Sequence, residues 1–216
     1  VMPFCLLVVA KAPVPGLAKT RLCPPATPGQ AAAIAAAALL DTLDAVLATP
    51  GAVPLVAATG DLDAAAHAQD LHRLLRGVQV VPQRGRTFAE RLAAAHADAA
   101  VLHPGLPVLQ IGMDTPQATA DVLAATAACL TDADAVLGPA TDGGWWALGL
   151  RDPRHAAALS GVPMSRPDTA NHTRAALAGI DLTLAATLSD VDTMADARRV
   201  ADALPGSRFA RAVASV

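Results

Sequence analysis

Phe4-Cys5-Leu6-Leu7-Val8-Val9-Ala10 (FCLLVVA) is an unbroken apolar run of strand length near the start of the chain. A strand that is apolar on both faces belongs in the middle of a parallel sheet, where helices cover both sides. The run is too short to cross a bilayer. It lacks the basic stretch and small-residue cleavage site of a signal peptide, so no membrane span and a cytoplasmic location are expected.

Working outward from this run, strand and helix signals alternate. Lys11–Pro25 is a Pro/Gly-rich loop that enters a helix near Pro28, and Gln30–Leu47 carries Leu39, Leu40, Leu43 and Leu47 on one helical face. Further strands are expected at Val53–Ala58, Val78–Val81, Val108–Ile111, Ala135–Leu137 and Leu182–Ala185, with apolar Trp145–Leu150 after a turn-rich loop at Gly138–Gly144. Helices are expected at Leu62–Leu75, Thr87–Leu102, Thr119–Leu130, Pro153–Leu159, Asp168–Leu177 and Met194–Leu204, and the tail from Pro205 to Val216 is expected to fray. The alternation predicts an α/β fold with a mostly parallel sheet and helices on both faces, in a single domain spanning 1–216. Ligands of such sheets bind beyond the carboxyl ends of the strands.

Composition narrows the function. Across 216 residues, 53% are hydrophobic and 16% charged, which excludes a disordered chain. A net charge of −3 and no basic stripe argue against nucleic acid as a partner. Three cysteines with no CxxC pair argue against a disulfide framework or a zinc knuckle.

Four segments carry side chains suited to chemistry. KAPVPGLAKTRL (11–22) follows the first strand and holds Lys11, Gly16, Lys19 and Arg21. Cations and close backbone approach at a glycine suit a diphosphate, although the segment is neither a Walker A nor a GxGxxG sequence. GMDTP (112–116) places Asp114 just past a buried strand, where a carboxylate can share Mg²⁺ with ligand phosphates. Capping of the next helix by Asp114 or Thr115, with Pro116 opening that helix, is the structural alternative. GPATDGGWW (138–146) combines Asp142, Gly143 and Gly144 with two tryptophans. Trp145 and Trp146 must face opposite sides of a strand, one free to pack in the core and the other to stack on a sugar or base. SDVDT (189–193) puts Asp190 and Asp192 on one face of an extended segment, as metal ligands or as part of a helix cap. Gln83, Gly85, Glu90 and Arg91 are weaker candidates for contact with a base or ribose.

In their order, KAPVPGLAKTRL, GMDTP, GPATDGGWWALGL (138–150) and DVDT (190–193) resemble the DUF2064 family of bacterial proteins, described as glycosyltransferases of the nucleotide-diphospho-sugar transferase (GT-A) fold. The resemblance implies a three-layer α/β/α sandwich with a mostly parallel mixed sheet. It implies a metal-dependent transferase that takes a sugar from a nucleotide-sugar to a small-molecule acceptor. Asp114, with Asp190 and Asp192, would hold Mg²⁺ or Mn²⁺. Lys11, Gly16, Lys19, Arg21, Gln83 and Gly85 would meet the nucleotide, and Lys19 and Arg21 its phosphates. Gly143, Gly144, Trp145 and Trp146 would face the sugar or acceptor, with Asp142 as an acceptor-orienting group or base. The chain departs from the family pattern at Val162–Arg166, on the expected acceptor side. Nucleotidyl transfer of the guanylyltransferase kind and a non-catalytic nucleotide-binding protein are the alternatives. Oligomeric state is open, with a homodimer among the options.

Overall fold

The computed structural model describes residues 2–216. The apolar run is the sheet's central strand, β1 (Phe4–Lys11), buried from Phe4 to Ala10. It lies between β2 (Ala52–Thr59) and β4 (Val108–Ile111), parallel to both. Beyond β2 comes the edge strand β3 (Gln79–Pro82), also parallel. On the other side, β6 (Trp145–Leu150) runs antiparallel between β4 and β5 (Ala135–Pro139), and β7 (Leu182–Leu184) pairs in parallel with β5 at the far edge. The order is β3-β2-β1-β4-β6-β5-β7, the mixed, mostly parallel sheet expected.

Strand alternation divides the core into two layers. Leu6 and Val8 of β1 face α1 (Pro28–Ala48), α2 (Ala68–Leu74) and α4 (Ala120–Ala128). Cys5, Leu7 and Val9 face α3 (Phe88–Leu102), together with Ala156 and Leu159 of a 3₁₀ segment at Pro153–Gly161. The short α5 (Thr169–Ala176) follows on that side and packs against the 3₁₀ segment. By length and hydropathy α1 could cross a bilayer, yet 67% of its most apolar stretch is buried inside the protein.

Two local expectations are corrected, and one is refined. The second helix begins at Ala68 rather than Leu62, because left-handed His67 (φ 57°) interrupts any helix before it. Residues 153–161 are helical as expected, wound as 3₁₀. The tail does not fray. α6 (Met194–Asp202) is followed by α7 (Arg208–Val213), capped by Ser207, and both pack on the outer face of α1. Phe209 is fully buried there, and Arg208 forms ion pairs with Asp41 and Asp44.

Candidate functional site

The site lies where the topology delivers chain segments to one edge of the sheet. The parallel strands β1 and β4 end there, releasing Lys11 and Gly112. β6 is antiparallel, so its beginning, Trp145, reaches the same edge, preceded by the Asp142–Gly144 turn. The segment after β7 returns across it: Leu188 N–H donates to Pro139, and Val191 N–H to the Asp114 carbonyl. Together these segments border a cavity of about 750 Å³, within the ~300–1,000 Å³ of small-molecule sites.

At one end the charged groups of three segments meet. Lys19 Nζ is 2.9 Å from Asp114 Oδ2 and 3.4 Å from Asp192 Oδ1, and it donates to the Val191 carbonyl. Arg21 pairs with Asp192 Oδ2 at 3.1 Å. Burial opposes the Lys19 charge, but Asp114, and then Asp192 and Asp190, overcome it and raise the ammonium's pKa. Lys19 takes a left-handed backbone (φ 49°), a conformation costly for a residue with a side chain. Asp190 has the opposite problem. Burial, then the charges of Asp114 and Asp142, push its carboxyl up to about 7, with Lys19 only partly compensating.

The capping alternatives resolve clearly. The N-cap of α4 is Thr119, not Asp114 or Thr115, and Pro116 lies in the turn before the helix. Thr193 caps α6 in a capping box with Asp196, so Asp192 is left to face the cations. The two tryptophans separate as strand geometry requires. Trp146 is buried and donates to the Ala186 carbonyl, its indole lying where any side chain at Gly138 would clash, yet it too borders the cavity. Trp145 is half-buried, lines the cavity and donates to Thr173 Oγ1 at 3.0 Å.

Not every expected residue lines the cavity. Lys11 does, with its ammonium donating to the Leu17 carbonyl. Gln83 does too, but its amide NH₂ is spent on the carbonyls of Ala10 and Ala57, leaving the side-chain oxygen as its remaining polar atom. Asp142 and Gly144 line it, with the Asp142 carboxylate accepting from Gly144 N–H at 2.8 Å. Gly16, Gly85 and Gly143 shape the surrounding turns instead. Gly143 (φ +88°) presses on the 163–167 loop, and a Cβ there would lie 1.8 Å from the Pro167 carbonyl oxygen. A Cβ on Gly85 would strike the start of α3 at Glu90, whose carboxylate belongs to the helix's capping box. Gln110 on β4 and the Met164–Pro167 loop also line the cavity. Sequence reasoning missed Gln110, which sits inside a buried strand, whereas it had put Val162–Arg166 on the expected acceptor side.

Carboxylates are the donors a hard divalent cation takes. Asp114, Asp190 and Asp192 converge, and the raised Asp190 carboxyl marks an excess of negative charge there. Among the described residues no group of three or more acidic, His or Cys side chains is arranged to hold a metal ion by itself.

Residues 42–166, more than half the chain, match the family described as "Uncharacterized protein conserved in bacteria (DUF2064)". The chain belongs to the DUF2064 family. The DUF2064 match spans Asp114 and the Asp142–Trp146 segment, whereas Lys19, Arg21, Asp190 and Asp192 lie outside it. No curated protein matches the chain. Among solved structures it is similar to a candidate nucleotide-diphospho-sugar transferase from Desulfovibrio desulfuricans G20, with TM-score 0.80, 24% identity, and 99% and 94% of the two chains covered. It is also similar to the 4-diphosphocytidyl-2C-methyl-D-erythritol synthase of Anaerococcus prevotii DSM 20548, with TM-score 0.60, 12% identity, and 99% and 96% covered. Rv0371c from Mycobacterium tuberculosis H37Rv, crystallised as a complex with manganese, aligns with TM-score 0.54, 18% identity, and 93% and 98% covered. At these identities the likeness is one of fold. The DUF2064 chain thus has the α/β fold of nucleotide-diphospho-sugar transferases and cytidylyltransferases.

Proposed function

We propose that this protein is a metal-dependent glycosyltransferase that moves a sugar from a nucleoside-diphosphate-sugar to a small acceptor. The observation that carries the reading is the meeting of Lys19 and Arg21 with Asp114, Asp190 and Asp192 at the ligand edge of the sheet. A departing diphosphate needs cations fixed in advance, because charge develops on it as the glycosidic bond breaks. Lys19 is such a cation, held by two carboxylates in a half-closed site. Mg²⁺ or Mn²⁺ held by Asp114 and Asp190 would supply further charge neutralisation for the diphosphate. Arg21, more exposed and paired with Asp192, would meet the outer phosphate oxygens. The face of Trp145 suits a sugar ring. Asp142, at the mouth of the Asp142–Gly144 turn, is the group proposed to orient or deprotonate the acceptor.

Nucleotidyl transfer is the second reading. The likeness to a diphosphocytidyl synthase supports it, and the same cations would serve a departing pyrophosphate equally well. Product analysis separates the two. The protein is incubated with nucleotide-sugars and, separately, with nucleoside triphosphates, each with Mn²⁺ and pooled small acceptors. Glycosyl transfer predicts nucleoside diphosphate from a nucleotide-sugar. Pyrophosphate from a triphosphate alone would replace it with the second reading.

A further inference from the structure

The other end of the cavity has a different character. Along β4, Leu109 and Ile111 face the α1 layer, so Gln110 between them faces α3. There the buried His96 lies 3.1 Å from it, Nε2 to Oε1. The Gln110 oxygen is an acceptor, so His96 must be the donor through Nε2–H. Burial pushes the His96 pKa down to about 4, so the ring is neutral at ordinary pH, and its Nδ1 is buried without a partner. With its oxygen committed, Gln110 turns its NH₂ the other way. That group has no partner within the described protein and is not sealed from the cavity it lines.

Arg91, from α3, lines the same cavity, as do Leu92 and Trp145. Its guanidinium rests over the Phe88 ring, 5.8 Å from the centroid. No carboxylate among the described residues pairs with it, and its Nε is buried without an acceptor. Lys19 and Arg21, by contrast, are paired with aspartates, and Arg166 with Asp168. The cavity lining therefore combines four aspartates with Arg91 and the Gln110 amide, donors that have no carboxylate partner. A guanidinium without a carboxylate and an amide NH₂ that line one cavity both lack an acceptor, which an oxyanion would supply.

We propose that this end binds a carboxylate or phosphate group of the acceptor, through Arg91 and the Gln110 amide, with His96 as the residue that positions Gln110. Its attribution to the acceptor rests on reading the aspartate end as the nucleotide-diphosphate site. The oxyanion site itself does not depend on that reading. Trp145 then stands between the two ends, over the place where sugar and acceptor would meet.

The test follows the Gln110 side-chain amide and the Trp145 indole by ¹H–¹⁵N spectroscopy. The intact protein is titrated with inorganic phosphate, with lactate, and with glycerol as a neutral control. Phosphate or lactate should shift both signals saturably and glycerol should not. The tighter of the two identifies the acceptor's anionic group. Arg91→Gln should weaken this binding about tenfold or more, the range for a charge-assisted contact, and Arg91→Lys should weaken it less. Lys19→Gln should leave it unchanged. His96→Leu should weaken it several-fold and His96→Gln, which can still donate to the Gln110 oxygen, should restore it; a packing role alone would show no such rescue. Equal shifts with glycerol, or unchanged anion binding in Arg91→Gln, would overturn the proposal. A separate titration of Arg91→Gln with a nucleoside diphosphate and Mn²⁺ should match the wild type. Loss of nucleotide binding there would make Arg91 part of the nucleotide site and overturn the assignment to the acceptor. Failure of the wild type to bind any nucleoside diphosphate, with anion binding at Arg91 intact, would refute only the donor reading.

Discussion

The two ends of the cavity solve opposite electrostatic problems. At the aspartate end charges are crowded and answered, with Lys19 between Asp114 and Asp192 and Arg21 on Asp192. At the Arg91 end donors are present and unanswered. A network that is nearly satisfied without ligand can exchange one partner for another with little reorganisation, as a site for diphosphate and metal must. An unsatisfied group waits for a ligand that brings the missing charge. The difference shows that a cavity's chemistry is read from the partners its groups lack as much as from their identity.

The comparison predicts effects of graded size. Removing the answered cation should have the largest. Lys19→Ala is expected to weaken a nucleoside diphosphate about 50-fold, from loss of a charge-assisted contact, while barely changing affinity for the free nucleoside. Calorimetry with both ligands checks this, and equal losses would dissolve the phosphate assignment.

Next comes the crowded acid. Asp190 has a folded pKa of about 7 against an ordinary 3.8. The folded state therefore holds a proton that the unfolded state releases, and stability falls as pH rises from about 4 to about 7. Metal-free Asp190→Asn should melt ~5 °C above the wild type at pH 8, equivalent to roughly 2 kcal/mol for a chain of this size. The gain should vanish near pH 4. Mn²⁺ should narrow the gap at pH 8, because the ion relieves the same repulsion.

The smallest effect belongs to the other end and has the opposite sign. The His96 pKa is depressed from 6.5 to about 4, so the unfolded state binds the extra proton and stability is lost as pH falls through that window. In thermal melts His96→Gln should show a shallower loss between pH 6.5 and 4, by a few degrees in Tm (about 1 kcal/mol). A wild-type stability flat across that window would contradict the neutral, Gln110-bound histidine.

The two ends also differ in how far the sequence announced them. Lys19, Asp114 and Asp192 lie on loops directly after strands or before a helix, so the apolar runs of β1 and β4 were enough to place two of them at the ligand edge. The strand order, by contrast, needed the antiparallel β6, whose apolar run carries no mark of direction. Without it nothing puts Trp145 beside Asp114. Gln110 and His96 lie inside a strand and a helix, and their meeting depends on register and helix rotation that no local pattern encodes. The tail was misjudged for a similar reason. Phe209 and Arg208 gain their value only from α1, more than 160 residues earlier in the chain.

The central claim is that the aspartate end holds a nucleoside diphosphate together with a divalent cation. Calorimetric titration of a nucleoside diphosphate, with and without Mn²⁺, into the wild type and Asp114→Asn tests it most directly. The account predicts that Mn²⁺ tightens binding to the wild type at least tenfold, an increment of about 1.4 kcal/mol, and that Asp114→Asn keeps its fold and loses that increment. The same Mn²⁺-dependent increment in Asp114→Asn as in the wild type would contradict it.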